Sequence, residues 1–384
     1  MQLSDWQQLQ RVLVVRLDNI GDIVMLTPAL RALRQSLPDV HLTLLATPSG
    51  SQIAPLLPWI NEVITHRPSW QDISNSMPHD PEREQALVTA IRTGKFDAAL
   101  IFTSFTQSPH PPAYVCYQAG IPIRVGQSKE FGGAMLSHWV KPLSDVYHQV
   151  DRNLHLMESA GFTVDNRAME LQISAAVQES AGHILQDAGI DPSLPFIVLA
   201  PGASCDTRRY DGERFAAAMR SLSSKTGLPV VIVGSDKETV LAKYIMDTAQ
   251  RYSIVSVMGR TSVPEMAAII RSSHLVIANN SGPLHIADAF KRPTIALYSG
   301  ADYEQQWRPR YALSRVLYRP VACSPCHLFK CPGKKECLDI PPDEIVRESI
   351  EVLQQQYGTA SVTGLNEKQE VQMRPGQGEY QCAD

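Results

Sequence analysis

His274-Leu-Val-Ile-Ala-Asn-Asn-Ser-Gly-Pro-Leu-His285 reads as a buried strand that turns at once into a helix. Leu275 to Ala278 is apolar at every position, the mark of a strand covered on both faces. Asn280, Ser281 and Gly282 stand at the mouth of the junction, where backbone N–H groups and the positive helix end face outward. Such a mouth suits an anion, and a diphosphate in particular. His285 follows one turn into the helix, where a lone histidine is as readily a packed or capping residue as a ligand.

Working outward, apolar run, turn and helix recur through both halves of the chain. The runs are Val12–Leu17, Leu42–Ala46, Glu62–Thr65 and Ala98–Phe102, then Phe196–Ala200, Pro229–Val233, Leu275–Ala278 and Pro293–Tyr298. Continuous Val, Ile and Leu runs alternating with helical stretches predict parallel sheets with both faces covered. A chain of 384 residues exceeds what one core holds, so two domains are expected. The expectation is an α/β protein of two doubly wound, Rossmann-like domains facing a central cleft, with ligands beyond the carboxyl ends of the strands. The boundary falls between Gly161 and Pro195, where amphipathic Val177–Ala188 gives way to turn-rich Gly189–Pro195. Residues 1–175 then form the first domain and 176–355 the second. The polar, aperiodic residues 356–384 read as a disordered tail, and Arg67–Glu84 as a surface excursion. No internal sequence repeat is visible.

A composition 44% hydrophobic and 19% charged is that of an ordinary globular protein. The net charge of −4 and pI near 6.3 give no field for nucleic acid. The first residues lack an apolar signal core, and no run reaches the ~18 apolar residues of a membrane span. A cytoplasmic location follows as the expectation.

Arg16-Leu-Asp-Asn-Ile-Gly-Asp22 comes directly after the first strand. Gly21 permits a close turn, and Asp22 sits near the start of a helix predicted to run to Leu37, whose N-terminus favours an ionised carboxylate. At a cleft floor that carboxylate suits general-base work on a hydroxyl; equally, Asp18 or Asp22 serves as a helix cap. The second half opens with a similar device, Phe196 to Tyr210. Gly202 and Ser204 let the backbone approach a ligand, and Arg208 or Arg209 offers paired donors to phosphate, or else a solvated arginine pair. Glu238, in the loop Gly234–Glu238, suits two ribose hydroxyls or a helix N-terminus.

Together Ile20–Leu33, Pro201–Ser204 with Arg208–Tyr210, and Asn279–His285 resemble the signature blocks of the lipopolysaccharide heptosyltransferase family, glycosyltransferase family 9. The likeness runs in order over residues 11–350. It implies a GT-B fold with an acceptor-binding first domain and a nucleotide-sugar-binding second domain. The implied reaction is an inverting transfer of a sugar, heptose from ADP-heptose, to a lipopolysaccharide-type or other cell-surface glycan. The nucleotide sugar is the donor substrate, and no cofactor or metal is required. By the same resemblance Asp22 falls on the catalytic aspartate, Arg208 on a basic phosphate contact that is often lysine, Ser204 on the preceding loop contact and Glu238 on the ribose contact. Asn280, Ser281, Gly282 and His285 fall on the diphosphate turn, with Asn280 where the family usually has aspartate, a change that bears on donor preference. The implied partners are the donor and a lipid-linked or cell-surface saccharide, not nucleic acid, with peripheral contact at the cytoplasmic face of the inner membrane. Readings from other classes are a GT-B-like sugar-nucleotide epimerase or hydrolase, and a non-catalytic sugar-nucleotide-binding protein.

Cys323, Cys326, Cys331 and Cys337 cluster near the C-terminus, in a stretch of a kind the family commonly carries. Four thiolates with this spacing are compatible with a structural Zn²⁺, to which His327 would be a further ligand, with a disulfide, or with unlinked thiols.

Overall fold

The computed structural model describes residues 3–72, 75–250 and 253–358. Its strands form two six-stranded sheets in which every pairing is parallel. The first contains β1 (Arg11–Arg16), β2 (His41–Ala46), β3 (Glu62–Thr65), β4 (Ala98–Ile101), β5 (Ile123–Gln127) and β6 (His138–Val140), in the order β3-β2-β1-β4-β5-β6. The second contains β7 (Ile197–Ala200), β8 (Val230–Ile232), β9 (Ile254–Ser256), β10 (Leu275–Asn279), β11 (Thr294–Leu297) and β12 (Ser314–Leu317), in the order β12-β11-β10-β7-β8-β9. Counted from its own first strand, each sheet has the same order. Each therefore reverses its direction of growth once, between β1 and β4 in the first and between β7 and β10 in the second. Those two crevices are where open α/β sheets bind ligands.

The apolar runs are explained by burial on both faces. Along β1, Val12 and Val14 enter one hydrophobic cluster while Leu13 and Val15 enter another. Each such side chain contributes about 1.5–3 kcal/mol when fully buried. The first cluster continues through Ile23 and Val24 into Leu284 and Ile286, so one apolar core runs between the halves. At that junction the helix Ile20–Val24 packs on the helix Gly282–Ala289.

The chain crosses from the first sheet to the second between the helix Gln149–Ser159, which packs on β5, and the helix Ala175–Asp187, which packs on the helix Val263–Ser272. The helix expected from Asp22 to Leu37 is two helices, Ile20–Val24 and Thr27–Ser36. Pro28 has no N–H for the Val24 carbonyl, and the Thr27 hydroxyl takes that carbonyl instead, at 2.7 Å. Ordered helix extends past 355, as Pro342–Tyr357 packs on the helix Gly212–Thr226. The remainder of the expected tail, 359–384, lies outside the described residues. Among the described residues no helix is long and apolar enough to cross a membrane.

Candidate active site

The two switch points carry the residues that the sequence singles out. At the end of β1, Asp22 occupies the third position of its short helix, and the Asn19 N–H donates to its Oδ2 at 3.2 Å. Capping is thus one role of this carboxylate. Its Oδ1 is held by two further donors, Arg16 Nη2 at 2.9 Å and the Ser104 hydroxyl at 3.2 Å. Ser104 follows β4, so the two strands flanking the switch point fix one carboxylate between them. Arg16 also reaches Asp18, with Nε 2.9 Å from Oδ2, and Gln107 Nε2 donates to Asp18 Oδ1 at 2.5 Å. Burial, partly offset by Arg16 and reinforced by Asp22, raises the Asp18 pKa to about 6.

In the second half Arg208 and Ser204 come together after β7, Arg208 Nη1 donating to the Ser204 hydroxyl at 3.2 Å. Arg208 Nε and Nη2 both lie on Asp302 Oδ2, at 2.7 and 2.6 Å. Burial alone would lower the Arg208 pKa, but the Asp302 carboxylate overcomes it and the guanidinium is held charged. Arg209 turns away, its Nη2 donating to the Ala203 carbonyl at 3.4 Å. Glu238 is bound to its own helix cap, accepting from the Ser235 N–H at 3.2 Å and hydroxyl at 3.0 Å. Its carboxylate nevertheless lies against Gly202, where a Cβ would meet Oε1 at 1.9 Å. Two motifs read separately in the sequence therefore meet beside the loop.

At the β10 mouth, the Ser281 hydroxyl donates back to the Asn279 carbonyl at 3.1 Å and does not cap its helix. The first-turn N–H groups are thereby left without a side-chain cap, as an anion site requires. Asn280 and His285 are both buried. The His285 ring lies on Gly21 of the first half. Burial lowers its pKa to about 4 against the pull of Asp22, with Arg208 lowering it further, so it is neutral at pH 7. Asp22 also raises the Arg208 pKa. Asp22, Arg208 and His285, drawn from two sheets, thus share one electrostatic site.

Comparison with known proteins shows the family of the chain. Residues 85–336 match the profile of glycosyltransferase family 9 (heptosyltransferase). The chain belongs to that family. Among curated relatives of this glycosyltransferase, lipopolysaccharide heptosyltransferase 3 of Escherichia coli K12 is 24% identical over 296 residues, covering 75% of this chain and 82% of that protein. The crystal structure of a family 9 glycosyl transferase from Veillonella parvula superposes with a TM-score of 0.72 at 20% identity, covering 90% of this chain and 97% of the other. Escherichia coli ADP-heptose lipopolysaccharide heptosyltransferase II gives 0.70 at 21% identity, covering 90% and 99%. The fold of the glycosyltransferase is accordingly GT-B.

Three supporting residues were not singled out as site residues from the sequence: Arg16, Ser104 and Asp302. Asn279 ties the site together. Its Oδ1 accepts from the Tyr210 N–H at 3.2 Å and its Nδ2 donates to the Pro201 carbonyl at 2.7 Å, pinning both ends of the loop that carries Ser204 and Arg208. The cysteine-rich segment braces the same loop from outside: Thr207 Oγ1 donates to the Leu328 carbonyl at 2.6 Å, and Lys335 Nζ to Asp206 at 2.8 Å. Its four cysteines are free thiols lining a cavity of about 30 Å³. Among the described residues no three His, Cys, Asp or Glu side chains are placed to hold a metal ion.

Proposed function

We propose that this glycosyltransferase moves heptose from ADP-heptose to a lipopolysaccharide-type acceptor, inverting the anomeric centre. Asp22 takes the proton of an acceptor hydroxyl as its oxygen bonds to the anomeric carbon. On the opposite face the bond from that carbon to the diphosphate oxygen breaks. The charge arriving on ADP is met by Arg208, the Ser204 hydroxyl and the N–H groups at Ser281 and Gly282. Glu238 receives the ribose hydroxyls, and neutral Asn280 and His285 line the diphosphate side. The first domain, 1–175, holds the acceptor and the second, 176–355, holds the donor.

The observation that carries this reading is the pairing of an ordered carboxylate at one switch point with a charged Arg208 and an uncapped helix end at the other. The likeness to an ADP-heptose enzyme supports the donor, and the heptosyltransferase relatives support the acceptor class. A lipid-linked acceptor would bring the cytoplasmic face of the inner membrane to the first domain, whose Phe131 and Trp139 are 98% and 57% exposed.

The test is ADP release and product linkage measured with ADP-heptose, UDP-sugars and GDP-sugars, with and without a lipopolysaccharide-core acceptor. Acceptor-dependent release from ADP-heptose with an inverted linkage is expected. Asp22→Asn should lower kcat by about 10²–10⁴-fold while donor KM holds. Release without acceptor, preference for a UDP-sugar or an undiminished Asp22→Asn would each overturn a named part of the reading.

A further inference from the structure

We propose that Asp18 is a positioning residue for the transfer, sharing the buried Arg16 guanidinium so that Asp22 is held in place and its outer oxygen stays available to the acceptor proton. This rests on Asp22 being the base. Arg16 ends β1 and is 0% exposed, yet it is flanked by two carboxylates, Asp18 at its Nε and Asp22 at its Nη2. A buried guanidinium paired to one carboxylate would bind it as a closed ion pair, and such a pair is a poor proton acceptor. Here the pairing is one to two. Asp22 Oδ1 is filled by two donors, Arg16 and Ser104, whereas Oδ2 carries the bond from the Asn19 N–H and the side chain remains 14% exposed. Oδ2 is therefore the oxygen that receives the proton.

Arg16 and the loop after β4 link Asp18 to Asp22. Gln107 joins the two: its Nε2 donates to Asp18 Oδ1 and its Oε1 accepts from the Ser104 N–H at 3.0 Å. The loop that supplies a donor to Asp22 is thus anchored on Asp18. With Asp18 ionised, the Arg16 trio carries a net charge of −1, which favours a proton arriving on Oδ2. With Asp18 protonated the trio is neutral and the transfer slows.

The groups facing this trio are few. On β1 and the next helix they are Arg16 and Asp22. The loop after β4 contributes neutral Ser104 and Gln107, and the loop after β2 contributes Thr47, whose hydroxyl donates to the Asp18 carbonyl at 2.5 Å. From the second half His285 and Arg208 face Asp22, and from the helix Gln149–Ser159 Arg152 faces Arg16. Arg208 and Arg152 keep their charge between pH 5 and 8, and His285, at about 4, stays neutral. Asp18, at about 6, changes charge in that range.

The experiment is the pH profile of kcat at saturating ADP-heptose and acceptor for the wild type, Asp18→Asn and Gln107→Leu, with Asp22→Asn as control. The wild-type kcat should rise as pH passes about 6. Asp18→Asn should lose that rise and fall about tenfold at pH 8, the equivalent of one pKa unit, with donor KM unchanged. Gln107→Leu removes a hydrogen bond that lowers the Asp18 pKa, so the rise should move to higher pH. A merely structural Asp18 would scale kcat equally at every pH and leave the profile's shape intact, which overturns the proposal. If Asp18→Asn does not fold, an unmoved profile in Gln107→Leu overturns it by itself. An inactive Asp22→Asn alongside wild-type profiles in the other two defeats this inference alone; an active Asp22→Asn defeats the base assignment beneath it.

Discussion

Gly21 and the imidazole of His285 touch across the two halves, and a Cβ built on Gly21 would stand 2.5 Å from His285 Cδ2. The residue before the proposed base is therefore fitted to the helix Gly282–Ala289 of the second half. The ring is buried in a close-packed interior. Gly21→Ala should destabilise the protein by about 1–3 kcal/mol, as overpacking does. It should also lower kcat/KM, because the helix carrying Asp22 must move. Gly21→Ala/His285→Ala should be less destabilised than the sum of the single changes by about 1–2 kcal/mol. Urea denaturation of the four proteins measures the coupling, and strict additivity would refute the contact.

Gly202 offers a contrast, since the atoms its Cβ would strike belong to the end of a flexible side chain, the Glu238 carboxylate. Gly202→Ala should leave Tm within a degree or two of wild type but displace that carboxylate. Donor KM should rise about three- to tenfold, the range expected from weakening one charged hydrogen bond. Glu238→Gln should reproduce the effect, and adding it to Gly202→Ala should cost little more. A full additional loss in the double variant would separate the two residues.

The sheets were legible where strands are central and apolar. The runs around β1, β4, β7 and β10 are uninterrupted because both faces and both edges are covered, and these four strands frame the two switch points. The strands missed, β5, β6, β9 and β12, are short or carry polar residues: β5 reads Ile-Arg-Val-Gly-Gln, and the other three are edge strands, β6 at one end of the first sheet and β9 and β12 at the two ends of the second. With them hidden, the identical strand order of the halves was hidden too, and no sequence repeat betrays it. Asp22, Arg208, Ser204, Glu238 and the 280–285 turn were legible because each sits at a strand-to-helix junction with small residues. Arg16 and Asp302 were not. A buried arginine at a strand end carries no local signature, and Asp302 meets Arg208 from 94 residues away.

Asn279 should prove a keystone of the donor side. It is fully buried at the end of β10, and its amide supplies both the acceptor for the Tyr210 N–H and the donor for the Pro201 carbonyl. Asn279→Ala leaves both backbone groups buried and unpaired, at a cost of about 2–4 kcal/mol. The loop between them carries Ser204 and Arg208, so donor KM should rise at temperatures where the variant is still folded. Asn279→Asp keeps the acceptor, loses the donor and should fall between. Thermal denaturation and donor titration of the two variants check the order, and an Asn279→Ala protein as stable as wild type would remove the pin.

Acid should loosen the contact between the halves before it affects the rest of the molecule. His148 caps the helix Gln149–Ser159 by accepting from the Val150 N–H at 3.1 Å through Nδ1, and its Nε2 lies 3.0 Å from the Arg308 carbonyl of the second half. That pairing requires neutral imidazole with the proton on Nε2. Burial, assisted by Arg310, lowers the His148 pKa to about 3, and burial lowers that of His285 to about 4. Because both folded values lie below the ordinary histidine value of about 6.5, the unfolded chain binds protons that the folded one refuses as pH falls below it. Each histidine should cost about 2 kcal/mol between pH 7 and pH 5. Asp18 acts in the opposite sense: its folded pKa, about 6, is raised, so its contribution is full below the unfolded carboxylate value and is lost as pH rises through 6, offsetting part of the acid loss. The net expectation is a Tm that falls from pH 7 to pH 5. His148→Asn retains a capping oxygen but cannot titrate, so its Tm should decline less steeply over the same interval. Equal slopes in the two proteins would show that His148 is not the group that couples acid to the contact.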